Sequence, residues 1–145
     1  MTTTTDKTIA AGLSKLLADS YGVYLKTHGY HWNVRGMSFA ALHTLFMTQY
    51  TEIWTAIDEI AERIRALGEA APQGYGAFAD LSAIRDGDPR ANAEAMLQEL
   101  IGDHATLIAT AKAAREGADD VTAAVIDARV QAHEKHLWML RASLG

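Results

Sequence analysis

The chain has 145 residues, no cysteine, and a net charge of −5 with its six histidines counted neutral. That length suits a single domain, and an apolar fraction of 49 % is enough to bury a core. Disulfide frameworks and cysteine-held zinc or iron–sulfur sites are excluded, and the acidic balance favours cations over phosphate backbones.

No apolar run reaches the roughly 20 residues that span a bilayer, so no membrane association is expected. Residues 1–7 are mostly threonine. They lack a basic stretch followed by an apolar one, so no signal peptide is expected. They read as a flexible tail on one domain covering 1–145. A cytoplasmic location follows, and the absence of cysteine fits a reducing compartment.

Four long segments carry a helical period. The first runs from about Thr8 to Val34, with Ile9, Leu13, Leu16, Leu17, Tyr21, Tyr24, His28 and His31 at three- and four-residue steps. The second runs from about Ser38, a capping residue, to Leu67, with Gly68 to close it. The third is expected to open at Asp88-Pro89, a cap followed by proline at the first helical position, and to stop at Gly117. The fourth begins near Asp119 and Asp120, acids suited to a helix N-terminus, and ends near Leu144.

The connections at Arg35–Met37 and Gly117–Asp119 are short, so each joins antiparallel neighbours. The stretch from Gly68 to Asp88 is long for a compact domain. It holds Pro72 and a short helical piece around Ala77 to Ile84. Two hairpins joined by one crossover that runs the length of the bundle predict an all-α, ferritin-like four-helix bundle with a short helix in the crossover.

The second helix has two stripes. Leu42, Phe46, Ile53, Ile57, Ile60, Ile64 and Leu67 form an apolar one that should face the core. A neighbouring stripe reads His43, Met47, Tyr50, Trp54, Asp58 and Glu62, all on one face. Adjacent carboxylates at Asp58 and Glu62 repel unless a cation sits between them. Oxygen with imidazole suits iron, manganese or zinc. Yet His43 lies roughly 22 Å from Asp58 along a straight helix. One helix cannot bring them to one ion.

Pairing this stripe with the same stripe of a second copy, antiparallel about a twofold axis near Tyr50, removes the difficulty. His43 then meets the Asp58 position of the other copy, Met47 meets Trp54, and Glu62 lies one turn beyond. His31 reaches the same place if the first hairpin is tight. Such isologous pairing gives two equivalent sites per dimer. The spacing alone leaves a second reading open: an acid pair of this kind also occurs on solvated helix faces, and Arg63 and Arg65 are close enough to form salt bridges. The pairs His28/His31 and His133/His136 are open to metal binding or to packing in the same way. No Glu-x-x-His occurs, so the within-bundle di-iron centre of ordinary ferritins has no ligands here.

Residues His28 to Gly36, His-Gly-Tyr-His-Trp-Asn-Val-Arg-Gly, closely resemble the hallmark of the Dps family. Phe39-Ala-Ala-Leu-His43, Ile57-Asp-Glu-Ile-Ala-Glu-Arg63 with Leu67-Gly68, and Lys135-His-Leu-Trp-Met139 are similar to further family segments. The resemblance covers nearly the whole chain. It implies His31 and His43 as metal ligands from one subunit, Asp58 and Glu62 as ligands from its twofold partner, and Trp32 as an electron donor beside the site. It further implies a hollow dodecamer that oxidises ferrous iron, usually with hydrogen peroxide, and stores ferric mineral. Zinc is the expected competitor, and the cytoplasm, nucleoid included, the expected location. Many family members carry an acid where this chain has Met47, so a more weakly held second iron is expected. Asp119, Asp120 and Asp127 are placed to line a pore, with plain capping the alternative for the first two.

Some relatives compact DNA through lysine-rich tails. Here the first residues offer only Lys7 beside Asp6, and the sequence stops at Ser143-Leu144-Gly145. Weak or absent DNA binding is expected. The alternative to a ferroxidase is a structural or DNA-packing shell with a silent metal site; a plain helical interaction module is a third reading.

Overall fold

The computed structural model describes residues 2–145. Their regular structure is entirely helical: α1 (Thr4–Asn33), α2 (Phe39–Ala66), α3 (Tyr75–Leu81), α4 (Ala93–Arg115) and α5 (Asp120–Leu144). α1 packs with α2 and α4 with α5, the two hairpins meet through α1–α4 and α2–α5, and α3 lies on α1. The ferritin-like bundle with a short crossover helix is therefore the observed architecture.

Two element starts differ from expectation. The first helix begins at Thr4 instead of Thr8, because Thr3 and Asp6 form a reciprocal capping box. Thr2 Oγ1 also donates to the Gly68 carbonyl. Residues 2–7 of the expected flexible tail are thus tied down, and Met1 lies outside the described residues. The other correction is at Asp88-Pro89. The Asp88 carboxylate accepts from the Arg90 amide and its carbonyl accepts from Ala91, closing a turn. Asn92 then caps α4 through the Ala95 amide. α2 closes as expected at Gly68, whose φ of +96° only glycine adopts without strain.

The crossover is fastened at its middle by a buried acid. Asp19 of α1 accepts from Ser82 Oγ at 3.0 Å, the Ala83 amide at 2.8 Å and Thr110 Oγ1 of α4 at 2.6 Å. Toward the other end, Lys26 of α1 pairs with Asp103 at 2.8 Å, and Tyr30 donates to Glu99. Arg35 donates its two terminal nitrogens to the carbonyls of Ala91 and Arg90, fixing the first hairpin's turn against the start of α4.

The apolar core is divided along the bundle axis. One cluster holds Leu13, Leu16, Ile53, Ile57, Ile60, Ile64, Leu107 and Ile126. The other holds Tyr30, Leu42, Phe46, Met96, Leu100 and Leu140. Between them lies a polar layer drawn from three helices: buried Gln49 of α2, His104 of α4 and Arg129, His133 and His136 of α5, with half-exposed Glu52 of α2. The Arg129 guanidinium clasps Glu52 with Nη1 at 2.5 Å and Nη2 at 3.0 Å, and Nη2 lies 3.0 Å from His133 Nε2. His133 Nδ1 lies 2.8 Å from His104 Nδ1, and His136 Nε2 lies 2.8 Å from Glu52.

The protonation states of this layer follow from its donors. Arginine only donates, so His133 Nε2 accepts and the proton of its neutral ring sits on Nδ1. His133 therefore donates to His104 Nδ1, and the His104 proton is left on Nε2. Burial, then the charges of His136 and Arg129, push His104 down to about 3. Burial, His104 and Arg129 also push His133 well below the usual imidazole range. Burial alone would raise Glu52, but hydrogen bonds from His136 and Arg129 outweigh it and hold the carboxyl at about 2.

Two predictions follow from this packing. Asp19→Ala takes the acceptor from three part-buried hydrogen bonds and should lower stability by about 2 kcal/mol, with Asp19→Asn losing less, as read by denaturant midpoint. In the second, the unfolded imidazoles take up protons below about pH 6.5 while the folded ones do not. Stability is then full above that pH and lost as pH falls, by about 2 kcal/mol per imidazole between pH 7 and 5. Glu52 adds to the loss below about pH 4.5, its ordinary value. Denaturant midpoints across this range should fall for the wild type and fall less for His104→Asn.

Candidate metal centre

The hairpin between α1 and α2 places His31 in the last turn of one helix and His43 in the second turn of the next. Val34 closes α1 through the Tyr30 carbonyl, Gly36 takes a φ of +106°, and the Phe39 amide bonds back to the Gly36 carbonyl. This tight turn stacks the two imidazoles with ring centroids 3.7 Å apart and planes 14° from parallel.

Their orientation is locked reciprocally. His31 Nδ1 lies 2.6 Å from the His43 carbonyl, and His43 Nδ1 lies 2.6 Å from the His31 carbonyl. A carbonyl only accepts, so both Nδ1 atoms carry protons. In the neutral rings both Nε2 lone pairs remain free, the tautomer a metal ligand requires. Hydrogen bonding of this kind to the remote nitrogen is what commonly fixes ligating histidines. His31 is 8 % exposed, while His43 is half-buried and capped on its outer side by Phe39, with centroids 5.0 Å apart.

Aromatic groups wall the pair. Tyr50 stands edge-on to His31 at 5.3 Å, and His28 lies 4.4 Å from Tyr50 and 4.3 Å from Trp32. Burial, then His31, push the His28 imidazole below its ordinary value. His28 lies 6.5 Å between centroids from His31 and is not a third member of the stack. Tyr24 extends this wall at 5.9 Å from Tyr50. Spacing placed Tyr24 and His28 on the first helix's periodic stripe and left the His28/His31 pair open to metal binding or packing; the structure packs His28 against Tyr50 and Trp32.

Asp58 and Glu62 are exposed on the outward stripe of α2. The salt bridges available to their neighbours go elsewhere: Arg63 binds Thr122 Oγ1 and Asp119, and Arg65 donates to the Glu69 carbonyl. Among the described residues neither carboxylate has an ion-pair partner. α2 is one unbroken helix from Phe39 to Ala66, so the carboxylates stay roughly 22 Å of helix from His43. Accordingly, no group of three acids, imidazoles or thiols within the described residues of one chain can hold a metal ion. The remainder of the stripe is apolar yet exposed, with Met47 at 45 % and Trp54 at 56 %. Trp32 is exposed to 64 % beside the histidine pair. At the opposite end, Asp119 caps α5 through the Thr122 amide and Asp127 is bound by Arg115.

A model of the ferritin-like domain matches residues 10–145. The chain is similar to the DNA protection during starvation protein of Brevibacillus brevis, with 33 % identity over 148 residues and 99 % of each chain covered. It is 34 % identical to DNA protection during starvation protein 2 of Bacillus anthracis, covering 97 % of this chain and 99 % of that one. Among solved structures, a Dps protein from Bacillus brevis superposes with a TM-score of 0.95 at 33 % identity, each chain covered in full. The Dps protein from Vibrio cholerae O1, described as a member of a broad superfamily of ferritin-like diiron-carboxylate proteins, superposes at 0.93 with 30 % identity, covering 98 % of this chain and 92 % of that one. By sequence and by fold, the chain belongs to the Dps branch of the ferritin-like family.

Proposed function

We propose that two copies of this chain pair antiparallel along α2 and oxidise ferrous iron at the junction. His31 and His43 of one copy and Asp58 and Glu62 of the other form each site. The observation that carries this reading is the pair of imidazoles locked with their Nε2 atoms free, in a chain whose unpaired carboxylates lie out of reach on the same helix. Exposed Met47 and Trp54 between the two half-sites supply apolar area for the contact, as an isologous interface requires.

Iron is the substrate. Hydrogen peroxide takes one electron from each of two ferrous ions and, with two protons, leaves as two waters. The ferric product is retained as mineral inside a shell of twelve subunits. Neutral imidazoles and carboxylates accept both oxidation states of iron, and zinc competes for the same donors. Met47 supplies no hard oxygen, so the second iron is held more weakly than the first. Exposed Trp32, packed against His28 with centroids 4.3 Å apart, is placed to donate an electron when only one iron is in place.

The cytoplasm is the proposed location; no helix among the described residues is long and apolar enough to cross a membrane. With a charge of −5 and residues 2–7 held against the bundle, little attracts a phosphate backbone. Duplex DNA should therefore show no mobility shift with this protein near neutral pH at physiological salt.

Complementation tests the shared site. Ferric absorbance after adding ferrous iron and peroxide should fall on the order of 10- to 100-fold in His31→Ala/His43→Ala and equally in Asp58→Ala/Glu62→Ala. Dissociating and reassembling the two variants together should restore about a quarter of wild-type activity, because half the random dimers are mixed and one of their two sites is intact. No recovery from properly assembled mixtures would show that each site belongs to one chain.

A further inference from the structure

The buried layer between the two apolar clusters takes no part in the proposed iron site. In four-helix bundles this interior level, lined by facing side chains, is where metal centres are built. Here it contains ionised Glu52 from α2, His133 and His136 from α5, and Arg129 among them, 4 % exposed. Glu52 Oε1 and His133 Nε2 each stand 3.0 Å from one atom, Arg129 Nη2, and Glu52 Oε1 is 2.8 Å from His136 Nε2.

We propose that this layer is a metal-ligand chamber held shut by Arg129, whose guanidinium occupies the position of a divalent first-row cation. Three features support the assignment. The donor set of carboxylate and imidazoles is one that borderline divalent cations take. His133 is already in the ligand tautomer, because its Nδ1 proton is taken up by His104 and its Nε2 lone pair faces the guanidinium. His104 is its outer partner, since a hydrogen bond to the remote nitrogen is what commonly orients a ligating imidazole.

Three polar atoms here are buried without a protein partner, His104 Nε2, Gln49 Oε1 and Arg129 Nε. Native interiors seldom leave such atoms unpaired; the two nitrogens carry protons, and Gln49 Oε1 is the acceptor that can turn toward an ion or its bound water. Contacts of 3.0 Å suit N–H donors and are about 1 Å too long for metal bonds. With the guanidinium in place the donors are held apart, in keeping with the lack of a ready-made metal group. An arginine never deprotonates in a protein, so the plug is permanent at any working pH. Arg129 is in this sense a specificity residue: it keeps transition metals out of the bundle interior and leaves only the site shared between copies.

A cobalt titration of the assembled protein, followed by visible absorption, tests this. Arg129→Ala should bind about one more Co2+ per chain than the wild type, with the spectrum of a tetrahedral nitrogen–oxygen field. Adding His133→Ala should abolish the increment. Zn2+ should raise Tm of Arg129→Ala more than that of the wild type. If Arg129→Ala folds poorly without metal, Zn2+ but not Mg2+ should rescue refolding, because Mg2+ prefers oxygen ligands; Arg129→Ser should show the same increment. Equal cobalt uptake by the wild type and both variants, an increment that survives loss of His133, or no rescue by Zn2+ would each overturn the proposal.

Discussion

Two hydrogen bonds, each from one histidine's Nδ1 to the other's carbonyl, hold the chemistry of this chain in place. They join the end of α1 to the start of α2 and settle the hairpin angle. They also choose the tautomer of both rings, so that what the hairpin offers outward is a pair of lone pairs. A single such bond would leave the partner ring free to rotate; the reciprocal arrangement removes both torsions together. The cost of ordering is met during folding, before any metal arrives, which is what preorganisation means for a binding site. Everything else about the outward face of α2 depends on it. Without fixed imidazoles at one end, the carboxylates fifteen residues away would be ordinary solvated acids.

The straightness of α2 supplies the complementary constraint. A helix rises about 1.5 Å per residue, and nothing between Phe39 and Ala66 bends this one sharply: no proline interrupts it. Half a ligand set at each end of a rigid rod cannot close on itself, yet it closes naturally on an inverted copy. The same rigidity keeps exposed Met47 and Trp54 in line between the halves. Apolar contact and ligand geometry are thus set by one register, and a slip of one residue would spoil both.

Much of this was legible before the fold was known, because it is written in periods. The two stripes of α2 separated core from outward face except at Leu67 on the first and His43 and Tyr50 on the second, which are half-buried. The crossover was legible from its length and its breakers. The starts of α1 and α4 were misread for local reasons: Thr3 with Asp6 is a capping box one turn ahead of the first apolar residue, and Asp88 spends its carboxylate on its own turn, leaving the cap to Asn92. The interior layer was illegible for a different reason. Arg129 and Glu52 are 77 residues apart, His136 and Glu52 84, and His104 and His133 29. Residue by residue they look like scattered polar positions on helices. Only the convergence of α2, α4 and α5 turns them into a network.

That network bears on why the surface site needs a partner. A bundle interior can hold two states of the same charge balance: carboxylates neutralised by a bound cation, or carboxylates neutralised by a built-in one. Glu52, clasped by Arg129 and His136, is the second state. A built-in cation makes the fold independent of metal supply, since no ion has to arrive for the interior to be neutral, whereas metal-held folds lose their stability with their metal. It also removes the interior as a place for redox chemistry. On the proposed function, iron chemistry uses donors that neutralise nothing in the folded monomer, and the exposed Asp58 and Glu62, without ion-pair partners among the described residues, are such donors. In the proposed reading stability and reactivity are assigned to different charges: half-exposed Glu52 is satisfied inside one chain, and the exposed acids are left for a second copy to complete.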